Sequence, residues 1–169
     1  HAMTKLSHIH LATNEAAKNR ILGMGEESWR VYNVGLPALD TLLASDLITA
    51  STLSRDLGLD LDSPIVVLTF HPISGFPERA AKEINVVIEA VRRLGEEGVQ
   101  IIATYPNNDA GFESIIEGLS SCCHDFIGYF KLIPSLGRRR YQSLLNLAAN
   151  PNIRICCLGN SSSGIKEAP

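Results

Sequence analysis

Four short apolar runs carry Val, Ile, Leu and Phe at consecutive positions rather than at alternate ones: "IVVLTF" (65–70), "VQIIAT" (99–104), "FIGYFKL" (126–132) and "IRICCL" (153–158). A strand with one wet face alternates apolar and polar residues. A strand apolar on both faces must be covered on both, which is the condition of parallel strands inside an α/β sheet. Helix-like segments separate the runs. "PERAAKEINVVIEAVRRLGEEG" (77–98) places Ala80, Ile84, Val87, Ile88, Val91 and Leu94 three and four apart, on one helical face. "AGFESIIEGLSS" and "GRRRYQSLLNLAAN" follow in the same manner. The order strand, helix, strand, helix predicts an α/β fold with parallel, doubly wound sheets.

Two weaker strand candidates come earlier, "HIHLA" (8–12) and "RVYNV" (30–34), with a helix between them that opens on Asn14 and ends near Gly25. From Pro37 to Ser63 the rhythm breaks; the stretch reads as helical or looped, and "LGLDLDSP" closes it. A domain boundary is placed there. The expected organisation is a first domain over 1–45, a linker over 46–63 and a second domain over 64–169.

Composition narrows the partners. There are 15 basic and 18 acidic residues, a formal net charge of −3, so no basic face for nucleic acid is expected. No apolar stretch reaches the roughly 18 residues of a membrane helix, and no signal peptide opens the chain. No membrane association is expected, and the cytoplasm is the expected location. Arg138-Arg139-Arg140 reads as a solvated helix start, with anion contact as the alternative. The cysteines form two adjacent pairs, Cys122-Cys123 and Cys156-Cys157, which is no zinc spacing. They are expected to be reduced and buried, in or beside strands. His8 and His10 alternate along a strand and so share a face, but no third metal ligand is evident. No metal or cofactor is expected.

Ligands of open α/β sheets sit where loops leave the carboxyl ends of strands. Three such loops here are polar: "TFHPIS", "TYPNNDAG" and "GNSSSGIKE". A Ser- and Gly-rich turn opening a helix exposes backbone N–H groups and hydroxyls, which suits a diphosphate. Glu167, one helical turn past Ser163, cannot favour phosphate but can accept from a ribose diol. A ligand-free Ser-rich cap is the alternative. His71 reads as a structural histidine or as a donor to phosphate or sugar. Asn107, Asn108 and Asp109 read as caps of the next helix, with contact to a ligand's polar edge as the alternative. No G-x-S-x-G, GxxxxGK[ST] or H-E-x-x-H pattern is present.

Taken in order, "RVYNVGLPALD", "VLTFHP", "EINVVIEAV", "IIATYPNNDAG", "GRRRYQSLL" and "GNSSSGIKEAP" resemble the UDP-N-acetylglucosamine 2-epimerases. The likeness runs over essentially the whole chain. "PNNDAG" and "GNSSSG" are similar to the hydrolysing branch; the "HRREN"-type loop and "DSGG"-type turn of the non-hydrolysing branch are absent. The resemblance implies two Rossmann-like domains in a GT-B arrangement, with this chain holding the end of the first and most of the second. It implies conversion of UDP-N-acetylglucosamine and water to N-acetylmannosamine and UDP, in sialic- or nonulosonic-acid synthesis. The carboxylates that move protons in that reaction lie chiefly in the family's N-terminal domain. This chain is thus expected to carry mainly the UDP-binding half and to be inactive alone; a non-catalytic UDP-sugar-binding fragment or paralogue is the alternative. By the same resemblance His71 lies near diphosphate and sugar and is the one catalytic candidate. Asn107 lies at the substrate, Ser161 and Ser162 donate to the diphosphate, and Glu167 holds the ribose. The partner implied is UDP-N-acetylglucosamine or a related UDP-sugar, and the full-length form is expected to be a homo-oligomer. "NLAANPNIRICCL" is longer than the family usually has, with a turn expected at Asn150-Pro151-Asn152.

Overall fold

The computed structural model describes residues 1–43 and 47–167. Contacts cluster in two units, residues 1–45 and 46–169. The expected linker start at residue 46, and residues 168 and 169 of the expected second domain, lie outside the described residues. Among those described, no helix is long and apolar enough to cross a membrane.

The first unit holds α1 (Ala2–Leu6), β1 (His10–Ala12), α2 (Glu15–Gly23), β2 (Val31–Asn33) and α3 (Pro37–Leu43). The strands pair in parallel, His10 opposite Val31. Asn14 caps α2 as expected: its side-chain oxygen accepts from the Ala17 N–H at 2.8 Å. Beside the small sheet lies a buried carboxylate, Glu26, 6% exposed. The Lys5 ammonium meets it at 2.7 Å, His10 Nε2 at 3.3 Å, and the Arg30 guanidinium also donates to it. The Lys5 hydrogen bond, aided by Arg30 and His10, outweighs desolvation and holds this carboxyl below its usual range. The two histidines expected on one strand face part company. His8 precedes β1 and meets the Trp29 ring edge-on at 5.7 Å, while His10 is turned to Glu26.

The second unit carries α4 (Ala50–Leu57), β3 (Ile65–Thr69), α5 (Ala80–Glu96), β4 (Gln100–Thr104), α6 (Phe112–Asp125), β5 (Phe130–Ile133), α7 (Gly137–Leu147), β6 (Ile155–Gly159) and α8 (Ser163–Lys166). Its four strands are all parallel, in the order β5-β4-β3-β6. The two-sided apolar runs have the expected physical cause. Val66 and Leu68 of β3 face a core built with Ile84, Val91, Ile115 and Leu119 of α5 and α6. Ile65 and Val67 face the opposite core, with Leu53 and Leu57 of α4 and Leu144 and Leu147 of α7. Each fully buried Leu or Ile contributes about 1.5–3 kcal/mol relative to exposure, so neither face can be left uncovered. α4 falls inside the stretch read as a linker; Thr49 caps it, Gly58 ends it in the left-handed conformation, and its apolar side joins the second unit's core.

Three expectations need correction. "FIGYFKL" is not one strand. α6 runs to Asp125, Phe126 closes it with its N–H on the Cys122 carbonyl at 2.9 Å, Gly128 turns the chain at φ +100°, and β5 starts only at Phe130. Phe126 is apolar because it plugs the core beneath the helix end, stacked on Tyr129 at 5.7 Å. The cysteines are not uniformly buried strand residues. Cys122 and Cys123 lie on α6, and only Cys122 is buried, its thiol pushed up to about 11 by desolvation. Cys156 and Cys157 lie on β6, which is last in the strand order and leaves both exposed. The turn at Asn150 is present, its side chain accepting from the Asn152 N–H at 3.0 Å. The third correction concerns the helix cap at Asn107 and is described with the site.

Candidate functional site

The strand order places the first strand of the second sheet, β3, beside the last, β6. The chain winds outward from β3 through β4 to β5, then returns to the other side of β3. Loops leaving β3 and β6 therefore part to opposite faces and open a crevice at their carboxyl ends. "FHP" and "GNSSSG" both leave the sheet there.

Gly159 makes the junction possible. It sits at φ +138°, and a Cβ on it would lie 1.9 Å from the Thr69 carbonyl oxygen, so only glycine lets β6 leave so close to β3. Asn160 then reaches across. Its side-chain oxygen accepts from the His71 N–H at 2.8 Å, and its side-chain amide donates to the His71 carbonyl at 2.8 Å. The serine turn follows. The Ser161 hydroxyl accepts from the Ser163 N–H at 3.3 Å, and backbone bonds from Gly164 to Ser161 and from Lys166 to Ser162 form α8. With four residues, α8 has little macrodipole; its donors are hydroxyls and amide groups rather than a helix field.

His71 is held in one tautomer. The Asn107 N–H donates to its Nδ1 at 3.1 Å, so the ring proton resides on Nε2, which becomes the ring's donor. Asn107 in turn donates through its side-chain amide to Asp109 at 2.7 Å. These residues do not cap α6, as the sequence suggested. Gly111 occupies the cap position at φ +94° with no side-chain bond. A Cβ there would lie 2.9 Å from the Pro77 carbonyl, so close packing of the loop against the start of α5 requires a glycine in the place where an Asn or Asp would cap.

Around this junction lies a cavity of about 340 Å³. Its floor is the strand ends, where the Thr69 and Thr104 hydroxyls share a hydrogen bond at 2.7 Å. One wall is His71 and Tyr105; a second is Ser161, Ser163 and Glu167; a third is the loop from Pro134 to Arg138, with Tyr141 and Gln142 of α7. Of the residues expected from sequence, His71, Ser161 and Glu167 line this space. Ser162 is the exposed residue ahead of α8 and does not line it. Asn107 stands behind His71, bonded to its ring. Tyr141 and Gln142 carry no sequence signal of a site, while Arg138, read as a solvated helix start with anion contact as the alternative, and Ser163 of the serine turn also line the space. Tyr141 is half-buried beside Ser163, Cys157 and Glu167, and burial pushes its hydroxyl upward. The signal that could have found this wall is positional: the loop after β5 leaves the same carboxyl edge as the three loops read as polar. Among the described residues, no group of three His, Cys, Asp or Glu side chains could hold a metal ion.

A family model described as UDP-N-acetylglucosamine 2-epimerase matches residues 1–169. A UDP-N-acetylglucosamine 2-epimerase of Neisseria meningitidis is 34% identical over 174 residues, covering 100% of this chain and 41% of the relative. A GDP/UDP-N,N'-diacetylbacillosamine 2-epimerase (hydrolyzing) of Campylobacter jejuni is 31% identical over 169 residues, covering 100% of this chain and 42% of the relative. Among solved structures, a UDP-GlcNAc 2-epimerase from Neisseria meningitidis bound to UDP-GlcNAc superposes with a TM-score of 0.66 at 18% identity, over 96% of this chain and 42% of that one. The Methanocaldococcus jannaschii UDP-GlcNAc 2-epimerase gives 0.61 at 18% identity, over 98% and 44%. These superpositions establish the fold, the parallel α/β architecture of GT-B proteins. The chain spans about two fifths of the length of the relatives it matches. With a match along its entire length, this chain belongs to the UDP-N-acetylglucosamine 2-epimerase family.

Proposed function

We propose that the cavity of the second unit binds the UDP part of a UDP-N-acetylhexosamine, and that the chain supplies this site to a hydrolysing UDP-N-acetylglucosamine 2-epimerase. The observation that carries the reading is the meeting of His71, Ser161, Ser163 and Glu167 around one space at the β3/β6 crevice. The hydroxyls of Ser161 and Ser163, which line the cavity, donate to the diphosphate. Glu167 accepts from the ribose hydroxyls. The wall from Pro134 to Arg138 is left for the base. Nε2 of His71, the donor end of its ring, points the role of that residue toward the β-phosphate and the sugar, with Asn107 fixing the ring.

In the overall reaction UDP-N-acetylglucosamine and water give N-acetylmannosamine and UDP. A base removes the C2 proton, the C1–O bond to UDP breaks and a glycal forms; water then adds with inverted configuration at C2. Negative charge collects on the departing β-phosphate. Donors fixed in place before the bond breaks stabilise that charge without reorganisation, which is the contribution of the serine turn and of His71. The relatives' names admit an N-acetylglucosamine or an N,N'-diacetylbacillosamine nucleotide as the sugar substrate.

Calorimetric titration of UDP, pyrophosphate and uridine tests these roles. Glu167→Ala is expected to weaken UDP by about fivefold or more while leaving pyrophosphate little changed, the loss of a hydrogen bond to a charged acceptor. Equal losses for both ligands contradict the ribose role. UDP binding no better than uridine contradicts the diphosphate role.

A further inference from the structure

At its base wall the cavity adjoins a second space. Leu136, Gly137 and Arg138 line it, and the same three residues line a neighbouring groove of about 660 Å³ that also touches Thr52 and Asp56 of α4. The partition between the two spaces is thus Leu136, which is buried in the core with Leu53 and Leu144, followed by the exposed Gly137 and Arg138. Gly137 turns the chain at φ +66°, and Arg138 follows it in the first turn of α7, exposed. Among the described residues Arg138 forms no ion pair.

We propose that Arg138 reads the nucleobase, selecting bases that present a ring carbonyl there, uracil and guanine, over those that present an amino group, cytosine and adenine. This rests on the reading of the cavity as a nucleoside-diphosphate site. With diphosphate at the serine turn and ribose at Glu167, the base falls against the strip that Arg138 ends. A guanidinium has only donors and keeps its charge at any working pH. Uracil O4 and guanine O6 accept from it; cytosine N4 and adenine N6 are themselves donors and offer no acceptor at that position.

The test is titration of UDP, GDP, CDP and ADP into the whole chain and into two variants, Arg138→Met and Arg138→Gln, with circular dichroism to check that each variant is folded. Arg138 is exposed at a helix start, so both are expected to fold. The wild-type chain is expected to bind UDP and GDP about tenfold or more tighter than CDP and ADP, the scale of a specific base contact. Arg138→Met should remove most of that ratio by weakening UDP and GDP. Arg138→Gln, whose side-chain oxygen can accept from an amino group, should recover CDP and ADP relative to the Met variant. Equal binding of all four by the wild-type chain overturns the proposal and leaves the nucleotide site standing. So does an equal weakening of all four in Arg138→Met, which would make Arg138 a charge acting on phosphate. If none of the four binds at millimolar concentration, the nucleotide reading fails and this proposal falls with it.

Discussion

His71 and Asn160 are joined by two hydrogen bonds, each 2.8 Å, in which the Asn160 side chain both accepts from and donates to the His71 backbone. The bonds couple the loop leaving β3 to the turn leaving β6, so the imidazole and the serine turn keep a fixed spacing. Asn160→Ala removes both. The expected cost is about 1–2 kcal/mol of stability, two exposed neutral hydrogen bonds at the lower end of their usual worth. UDP affinity should fall with it, because the donors are no longer held together. Thermal melting and UDP titration of the variant check both effects; unchanged affinity would mean the spacing is set elsewhere.

Gly159→Ala tests the close approach of the two strands. The new Cβ would meet the Thr69 carbonyl at 1.9 Å, at a φ of +138° that L side chains rarely adopt. Backbone cannot yield as a flexible side chain can, so a loss of about 3 kcal/mol or more is expected. Denaturant unfolding reads it directly, and a loss below about 1 kcal/mol would contradict the packing at this junction.

Leu53 tests whether α4 belongs to the core of the second unit. It is 0% exposed and packs in the cluster with Val67 and Leu144. Leu53→Ala is expected to cost about 2–5 kcal/mol, the range for a buried leucine whose cavity cannot collapse. A surface-like loss of about 0.5 kcal/mol would favour the linker reading of this stretch.

Glu26 gives the first unit a pH dependence of known sign. Its folded pKa lies below the ordinary value of 4.5, with the Lys5 hydrogen bond as the main cause. A group with a depressed folded pKa contributes stability above the unfolded value and loses it as pH falls through the folded one. The wild-type first unit should therefore weaken as pH drops below about 4.5. Glu26→Gln should be less stable at neutral pH, and its disadvantage should shrink in acid. Trp29, the single tryptophan, sits in this unit and its fluorescence can follow the transition. A gap between the two proteins that does not change with pH would contradict the clamp.

The legible parts of this fold are those where one physical demand explains a whole run of residues. β3 could be read because Ile65, Val66, Val67 and Leu68 are all apolar, and burial on alternate faces requires that of every one. The run at Phe126 misled because helix end, turn and strand start are all apolar there, and Gly128 alone marks the break. The stretch holding Leu53 and Leu57 could be read as helical or looped, but two leucines four apart do not say which core they join. At the site, the three polar loops stood out by their place at the carboxyl ends of strands, and the family resemblance picked His71, Ser161 and Glu167 out of them. Asn107 and Asp109 looked like caps because the demand that placed Gly111, the nearness of the Pro77 carbonyl, comes from a contact far along the chain. Tyr141 was hidden for a related reason: nothing local separates it from an ordinary helix face, and the topology alone brings α7 to the cavity. Arg138 was visible as part of a basic run, but the run alone did not say that it lines a cavity.

A crystal structure of the chain with UDP bound tests the central reading most directly. The diphosphate oxygens should lie within hydrogen-bonding distance of the Ser161–Ser163 turn, with the ribose hydroxyls on Glu167 and Nε2 of His71 toward the β-phosphate. UDP bound elsewhere, or bound with its phosphates away from the serine turn, would contradict the assignment of this cavity.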